Sequence, residues 1–365
     1  RPLFYGRVRV AQPLFDSSAA AGGAQDLQRS GAADIIDREE EDAVRDEMIV
    51  PGYRLEREIA RGGMSTVYLA RKREIGTVSA VKVLSRETAD DRSFVRRFIE
   101  EARTTARFSH PNIVHVIDAG KTTDGRYYIA MEYVDGRTVG DRIREKGPLE
   151  EREALRIIEQ AASALEAAHS MGLLHRDVKP GNIMMDGDGV ARLCDFGLAL
   201  PAWRKPEAEG LVYGTPEYMA PEQARGSRDL DSRADLYSLG ATLYHMLFGR
   251  PLFSAANPQL IAALQITEQP VIPETPPISP ATRSLLAWTL QKDPDARPQT
   301  AAELRAAVHR ILAGETSVSL GTTTVTLAVR RLRRRLRVLL GDRRFMVIAA
   351  TAFAAALVVL GLLLR

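Results

Sequence analysis

His175-Arg176-Asp177-Val178-Lys179-Pro180-Gly181-Asn182 is the stretch on which the reading of this chain turns. The texture of the sequence changes across it. Upstream, Arg54–Ile59 and Ser65–Arg71 alternate apolar and polar residues as paired strands do, and Val78–Leu84 reads as a third strand. Residues 90–108 have helical spacing, with Phe94, Phe98, Ala102 and Thr105 on one side, and Tyr127–Tyr133 returns to strand. Beyond Gly140 the chain becomes helical, over Leu149–Met171, Asp235–Phe248, Asn257–Ile266, Ala281–Leu290 and Thr300–Leu312. A strand-rich small lobe followed by a helix-rich large lobe is the expected architecture, with the quoted stretch early in the second.

Other short stretches bracket it. Ile59-Ala60-Arg61-Gly62-Gly63-Met64-Ser65-Thr66-Val67-Tyr68 is a glycine-bearing turn between strands, whose backbone amides could approach a phosphate closely. A plain hairpin turn has the same wording. Ala80-Val81-Lys82-Val83 puts a lysine among apolar strand residues, where it needs a partner, and Glu101, with Glu100 beside it, supplies a candidate. An outward-facing strand lysine is the other reading. Downstream come Cys194-Asp195-Phe196-Gly197 and Gly214-Thr215-Pro216-Glu217-Tyr218-Met219-Ala220-Pro221-Glu222.

In this order, these motifs resemble the eukaryotic-like (Hanks-type) protein kinases, and the Gly-rich turn and the C-terminal organisation resemble bacterial membrane-anchored Ser/Thr kinases. The match covers roughly Tyr53 to Leu312. The resemblance implies a two-lobed α+β fold, with an antiparallel sheet and one helix in the small lobe and ATP in the cleft between lobes. It implies ATP as phosphate donor, Mg²⁺ (or Mn²⁺) as the ion, and protein Ser/Thr hydroxyls as acceptors. Asp177 takes the position that orients the substrate hydroxyl, and Lys179 that of a cation near the transferring phosphate. Asn182 and Asp195 take the positions of the metal ligands, hard oxygen donors suited to Mg²⁺. Lys82 is expected on the α and β phosphates, paired with Glu101. Ala60, Gly62, Gly63, Ser65, Val67 and Ala80 are expected around the nucleotide. Glu132 and Val134, after Met131, would offer backbone groups to adenine. Asp235 resembles the residue that braces the catalytic loop, Arg297 the partner of Glu222, and His175 a packed histidine. Thr215 resembles the threonine that contacts the catalytic aspartate. Cys194 is expected as a buried core thiol.

The chain departs from the family's wording at two places. In the Gly-rich turn the first glycine is Ala60 and the third Ser65, both small enough to admit a nucleotide. Between Gly197 and Tyr213 there is no Ser, Thr or Tyr to phosphorylate, and Glu207 and Glu209 stand there instead. A carboxylate beside Arg176 in place of phosphate is one reading; solvated glutamates are the other.

Composition bounds the rest. The 365 residues are 45% hydrophobic and 27% charged, which excludes a wholly disordered or collagen-like chain. One cysteine excludes a disulfide framework and a multi-cysteine metal site. The net charge is +3, but Arg330 to Arg344 alone carries +7, which leaves −4 elsewhere. That is not the surface-wide basic footprint of a nucleic-acid binder. Residues 1–50, with the acidic run Glu39–Asp42, read as a solvated tail in which a short helix over Ala33–Met48 can form. The sequence opens on Arg1, as a fragment or a processed chain does, and Arg1–Phe15 lacks the apolar run of a secretory leader. Residues 313–344 read as a linker, Ser/Thr-rich over Glu315–Thr326 and then arginine-rich. Phe345–Leu364 contains no charge, and twenty residues at ~1.5 Å each span a bilayer core of ~30 Å. The arginines predict that its N-terminal side is cytoplasmic. The expected whole is a kinase domain tethered to a membrane for signalling, with protein substrates and a homodimer permitted. A pseudokinase scaffold that binds nucleotide or partners without transfer is the alternative.

Overall fold

The structure is a computed structural model, and it describes residues 9–10, 49–106, 109–196, 200–201, 211–212, 214–227 and 229–315. The small lobe is a five-stranded antiparallel sheet of β1 (Tyr53–Arg61), β2 (Ser65–Lys72), β3 (Val78–Leu84), β4 (Val116–Lys121) and β5 (Tyr127–Glu132), in the order β1-β2-β3-β5-β4. Alternation along β3 and β5 divides their side chains between the two faces. Val81, Val83, Tyr128 and Ala130 pack with Val50 and Tyr53 on one face. Leu84, Val116 and Ile129 pack on the other, against Val95, Phe98 and Ala102 of helix α1 (Arg92–Thr105). Val50 is 1% exposed, so the folded lobe takes in the last residues of the segment expected to be tail.

The large lobe opens with β6 (Gly136–Thr138), α2 (Val139–Lys146) and α3 (Glu151–Ser170). Helix α3 buries Leu155, Ile158, Ala162 and Leu165, a stripe at helical spacing, and packs against α5 (Ser232–Phe248) and α8 (Ala301–Leu312). Between α3 and α5 the chain makes short strands: β7 (Leu173–Leu174), β8 (Ile183–Asp186), β9 (Ala191–Leu193) and β10 (Leu200–Pro201). β8 is flanked by β6 and β9, and β10 pairs with β7. A single helical turn, α4 (Pro221–Ala224), precedes α5; α6 (Pro258–Thr267) and α7 (Pro280–Thr289) follow it. Residues 9–10 pair in parallel with residues 211–212.

Helix starts follow the sequence chemistry. The side chains of Thr138, Asn257, Ser279 and Thr300 each accept a first-turn backbone N–H. Helix α5 is buried almost all round, and at Gly240 a Cβ would lie 2.4 Å from Thr289 Oγ1 of α7. That glycine sets how closely the two helices approach. Strand β4 and helix α2 were not anticipated: Val116–Lys121 is mostly exposed and α2 is only eight residues long, so neither leaves a strong period.

Candidate active site

Strand register assembles the small-lobe half of the site. Lys82 lies opposite Val67 of β2 and Ile129 of β5, and Ala80, two residues earlier, lies opposite Met131. Val67, Ala80 and Lys82 therefore share one sheet face, and Ala60 adjoins it as the partner of Val67. Ile129 is packed against α1, so the helix that carries Glu101 lies over the same face. The expected pairing of Lys82 with Glu101 falls outside what the structure describes, because the side chains of Glu100 and Glu101 are not among those described. Gly62 and Gly63 form the turn between β1 and β2, closed by Gly62 N–H donating to the Ser65 carbonyl at 2.9 Å. β5 ends at Glu132, and buried Val134 follows where the chain passes to the large lobe. Arg192 of β9 comes within 3.5 Å of the Glu132 carboxylate.

The two lobes meet at an ion pair, Lys82 Nζ to Asp195 Oδ1, at 2.6 Å. Burial alone would push the Asp195 carboxyl up. Lys82, with its charge and hydrogen bond, and the more distant Lys179 and His175 outweigh burial and hold the carboxyl below the usual carboxylate range. Asp195 nonetheless keeps 43% of its side chain exposed toward the cleft.

Asp177 is ringed by donors in the large-lobe half. Its Oδ1 receives the backbone N–H and the hydroxyl of Thr215, at 2.9 and 2.8 Å. Its Oδ2 lies 2.8 Å from Lys179 Nζ and 3.1 Å from Asn182 Nδ2. Lys179 also donates to Thr215 Oγ1 at 2.7 Å. Asn182 commits its Nδ2 to the Asp177 side chain and carbonyl, which leaves its Oδ1 as the free ligating atom. Together with the Asp195 carboxylate this is a pair of hard oxygen donors facing the cleft, which fits a Mg²⁺-type ion.

The backbone that presents these groups is strained and fastened. Arg176 and Asp195 are the non-glycine residues at positive φ among those described, at 66° and 61°. Each such residue costs roughly 1–2 kcal/mol. Buried Asp235, at the start of α5, holds the first: its Oδ2 accepts the His175 N–H at 2.9 Å and its Oδ1 the Arg176 N–H at 2.8 Å. His169 Nε2 lies 2.8 Å from Oδ2. Burial would raise the Asp235 carboxyl, but His169, His175 and the Arg176 N–H together keep it low. From the other side, Gln223 Nε2 donates to the Arg176 carbonyl at 2.7 Å. Gly214, at φ 119°, lets the chain pass there, since a Cβ would sit 2.9 Å from Gln223 Nε2 and 3.0 Å from that carbonyl. His175 is buried between Asp177 and Phe196, its ring 4.5 Å from the phenyl, and its Nε2 meets the Cys194 carbonyl at 3.2 Å. Burial lowers its affinity for a proton.

The site therefore brings together Lys82, Asp177, Lys179, Asn182 and Asp195. The expected buried core thiol is corrected: Cys194, just past the end of β9, is half-buried. The Arg176 guanidinium is buried, and its Nε finds no hydrogen-bond partner among the described residues. Glu207 and Glu209, weighed above as its partners, lie outside the described residues. His169, Gln223 and Arg192 were missed by sequence reasoning. Their partners are 66, 47 and 60 positions away along the chain, and none sits in a motif of its own.

A two-lobed fold with a lysine–aspartate pair bridging the cleft and a ringed aspartate below it defines a phosphotransferase-type site of the kinase class. The chain belongs to the protein kinase family, since the description Protein kinase domain matches residues 53–308. It is similar to the serine/threonine-protein kinase PknB of Mycolicibacterium smegmatis, 41% identical over 271 residues covering 72% of this chain and 43% of that one. PknB of Mycobacterium tuberculosis is 40% identical, with the same coverage. The serine/threonine-protein kinase PksC of Streptomyces coelicolor is 39% identical over 273 residues, 72% of this chain and 49% of that one. The chain thus spans under half the length of these relatives.

Proposed function

We propose that this chain is an ATP-dependent serine/threonine protein kinase. The observation that carries the reading is the ring about Asp177: Thr215, Lys179 and Asn182 all within 3.1 Å, below the Lys82–Asp195 pair. In this reading Asp177 receives the proton of a substrate Ser or Thr hydroxyl as its oxygen bonds the γ phosphorus. The bond from phosphorus to the β–γ bridging oxygen breaks, and ADP leaves with that electron pair. Lys179 offsets charge on the transferred group, and Lys82 orients the α and β phosphates. Asn182 and Asp195 would hold a divalent ion, which when bound neutralises charge on the β and γ phosphates. The relatives' names support the choice of Ser/Thr hydroxyls.

The finer reading places the enzyme at a membrane. Among the described residues no helix is long and apolar enough to cross one. The uncharged run Phe345–Leu364, behind eight arginines, lies outside them and supports a single-pass anchor with the kinase domain cytoplasmic. Homodimerisation through a shared membrane follows from raised local concentration. Glu207 and Glu209 are proposed to serve Arg176 in place of an activation-segment phosphate.

The test is transfer of labelled γ-phosphate from ATP with Mg²⁺ to a generic protein substrate, using the full chain in detergent and its Asp177→Asn variant. The expected loss in the variant is ~10²–10⁴-fold, with label on Ser and Thr only. Nucleotide binding with no transfer by the unaltered chain would overturn the reading in favour of a scaffold.

A further inference from the structure

Gln265, on α6, is fully buried, and its side-chain amide bonds outside its own helix. Its Nε2 donates to the Pro216 carbonyl at 3.1 Å and to the Glu217 carbonyl at 2.8 Å. A carbonyl accepts and never donates, so the amide has to turn its N–H₂ this way. On the other side its Oε1 accepts the Tyr237 hydroxyl at 2.7 Å. Lys292 Nζ in turn donates to the Tyr237 oxygen at 3.2 Å and to the Gln265 backbone carbonyl at 2.7 Å. Burying an amide is unfavourable unless it is hydrogen-bonded, and here both of its ends are. Helix α6 also packs on α4 and the residue pair before it, through Ala262 and Ile266 against Met219 and Ala224.

What Gln265 holds is a turn. Tyr218 N–H donates to the Thr215 carbonyl at 3.0 Å, which makes Pro216 and Glu217 the two corner residues. The turn begins at the catalytic loop, since Thr215 bonds Asp177 Oδ1. Thr215, Glu217 and Tyr218 are only partly buried, so the turn offers surface beside the point where an acceptor hydroxyl meets Asp177. An extended chain advances ~3.3 Å per residue, so the residues flanking that hydroxyl come within reach of this surface. Thr215 is fastened by its own bonds to Asp177 and Lys179, whereas the corner carbonyls receive their donor from α6.

We propose that Gln265 is a positioning residue for the protein acceptor. It sets the height and tilt of the Thr215–Tyr218 turn, against which the acceptor chain lies while Asp177 engages its hydroxyl. It acts through the carbonyls of Pro216 and Glu217, with Tyr237 and Lys292 fixing its orientation. The proposal rests on the catalytic reading above.

Steady-state transfer of γ-phosphate from ATP to dephosphorylated casein tests it, using the full chain in detergent with both substrates varied. Gln265→Met keeps the length of the side chain and removes both N–H donors and the oxygen. Its KM for casein is expected to rise about tenfold or more, the scale of leaving buried carbonyls without a donor, while kcat and the KM for ATP stay within about threefold of the unaltered chain. A purely structural loss reads differently, because a smaller folded fraction lowers kcat and leaves both KM values intact. Tyr237→Phe is the milder variant. It keeps the ring and both Gln265 donors and removes only the hydroxyl that orients Oε1, and its KM for casein is expected to rise by a smaller factor. An unchanged casein KM in both variants, or a fall in kcat with both KM values intact, would overturn the proposal. No transfer to casein by the unaltered chain would remove the catalytic reading and this proposal together, which tells the two failures apart.

Discussion

Asp235 receives the backbone N–H of Arg176 at 2.8 Å, and Arg176 is one of the residues held at positive φ. The carboxylate sits beneath the catalytic loop rather than in the cleft, so its role is to position Asp177, the next residue. Replacing Asp235 by Asn keeps the shape but supplies an N–H₂ where one of the loop N–H groups or His169 needs an acceptor. Hydrogen bonds to a charged group contribute about 1.5–3 kcal/mol each. Asp235→Asn is expected to lower kcat by roughly 10–100-fold, with the KM for ATP little changed, because Lys82 and the Gly62 turn lie elsewhere. A matched rise in KM with kcat preserved would show that the loop does not rely on this acceptor. Asp235 is held below its ordinary value of 3.8. Its contribution to stability is therefore complete above about pH 4 and is lost as pH falls further.

Thr215 ties the segment before α4 to the catalytic loop, through Asp177 Oδ1 and Lys179 Nζ. Removing its hydroxyl leaves the backbone N–H bond to Asp177 but frees both side chains to move. Thr215→Ala is expected to reduce kcat by about tenfold or more, and Thr215→Ser, which keeps the oxygen, to recover most of it. The comparison is made by steady-state kinetics at saturating ATP. Equal activity of the Ala and Ser variants would assign the work to the backbone N–H alone.

Much of this site was legible because its residues come in short runs. Asp177, Lys179 and Asn182 sit within six positions, in one run whose resemblance to the kinase motif singled them out. Lys82 stood out as a charge in an apolar strand, and register explains it, since Val81 and Val83 point to the opposite face. The support beneath the loop was harder to read. His169 closes an ordinary amphipathic helix, and Gln223 sits within a buried single turn, α4. Only the tertiary fold brings either to Asp235 or Arg176. Strand β4 was missed for a different reason: most of its residues are exposed, so it lacks the alternation by which a half-buried strand is recognised.

Two histidines, the buried His175 and the half-buried His245, predict the pH dependence of stability. Burial holds His175 and His245 neutral, with lowered pKa values, although each keeps a polar partner: Cys194 for the first, and the Tyr218 hydroxyl at 2.6 Å for the second. Below about pH 6.5 the unfolded chain takes up protons that the folded chain resists. Stability is therefore expected to decline as pH falls from 6.5, by at most ~1.4 kcal/mol per pH unit for each histidine. His175→Phe keeps a ring against Phe196 and removes one titrating group. Thermal denaturation from pH 7.5 to 5.5, above the carboxylate range, should give a shallower decline for this variant. An identical slope would mean that His175 binds its proton as readily in the fold as outside it.

The last prediction concerns the large lobe. Arg297 is fully buried and grips Glu222 through two parallel bonds at 2.7 and 2.8 Å. Its remaining N–H groups reach the carbonyls of Gln291, Lys292 and Arg233, and its guanidinium lies 4.9 Å from the Tyr237 ring. It thus joins the segment after Ala220 to α5 and to the turn after α7. Arg297→Ala strands the Glu222 carboxylate in a buried place, which costs about 3–5 kcal/mol. Arg297→Lys is not conservative here, since an ammonium cannot reproduce the fork or reach the three carbonyls together. Urea unfolding should therefore rank both variants well below the unaltered chain, with Ala lowest. Removing both charges, in Arg297→Met/Glu222→Met, is expected to recover a large part of the loss, because no buried ion is then left without its partner. If the double variant proved as unstable as Arg297→Ala, the cost would lie in the stranded carbonyls and the ring contact, and the ion pair itself would contribute little.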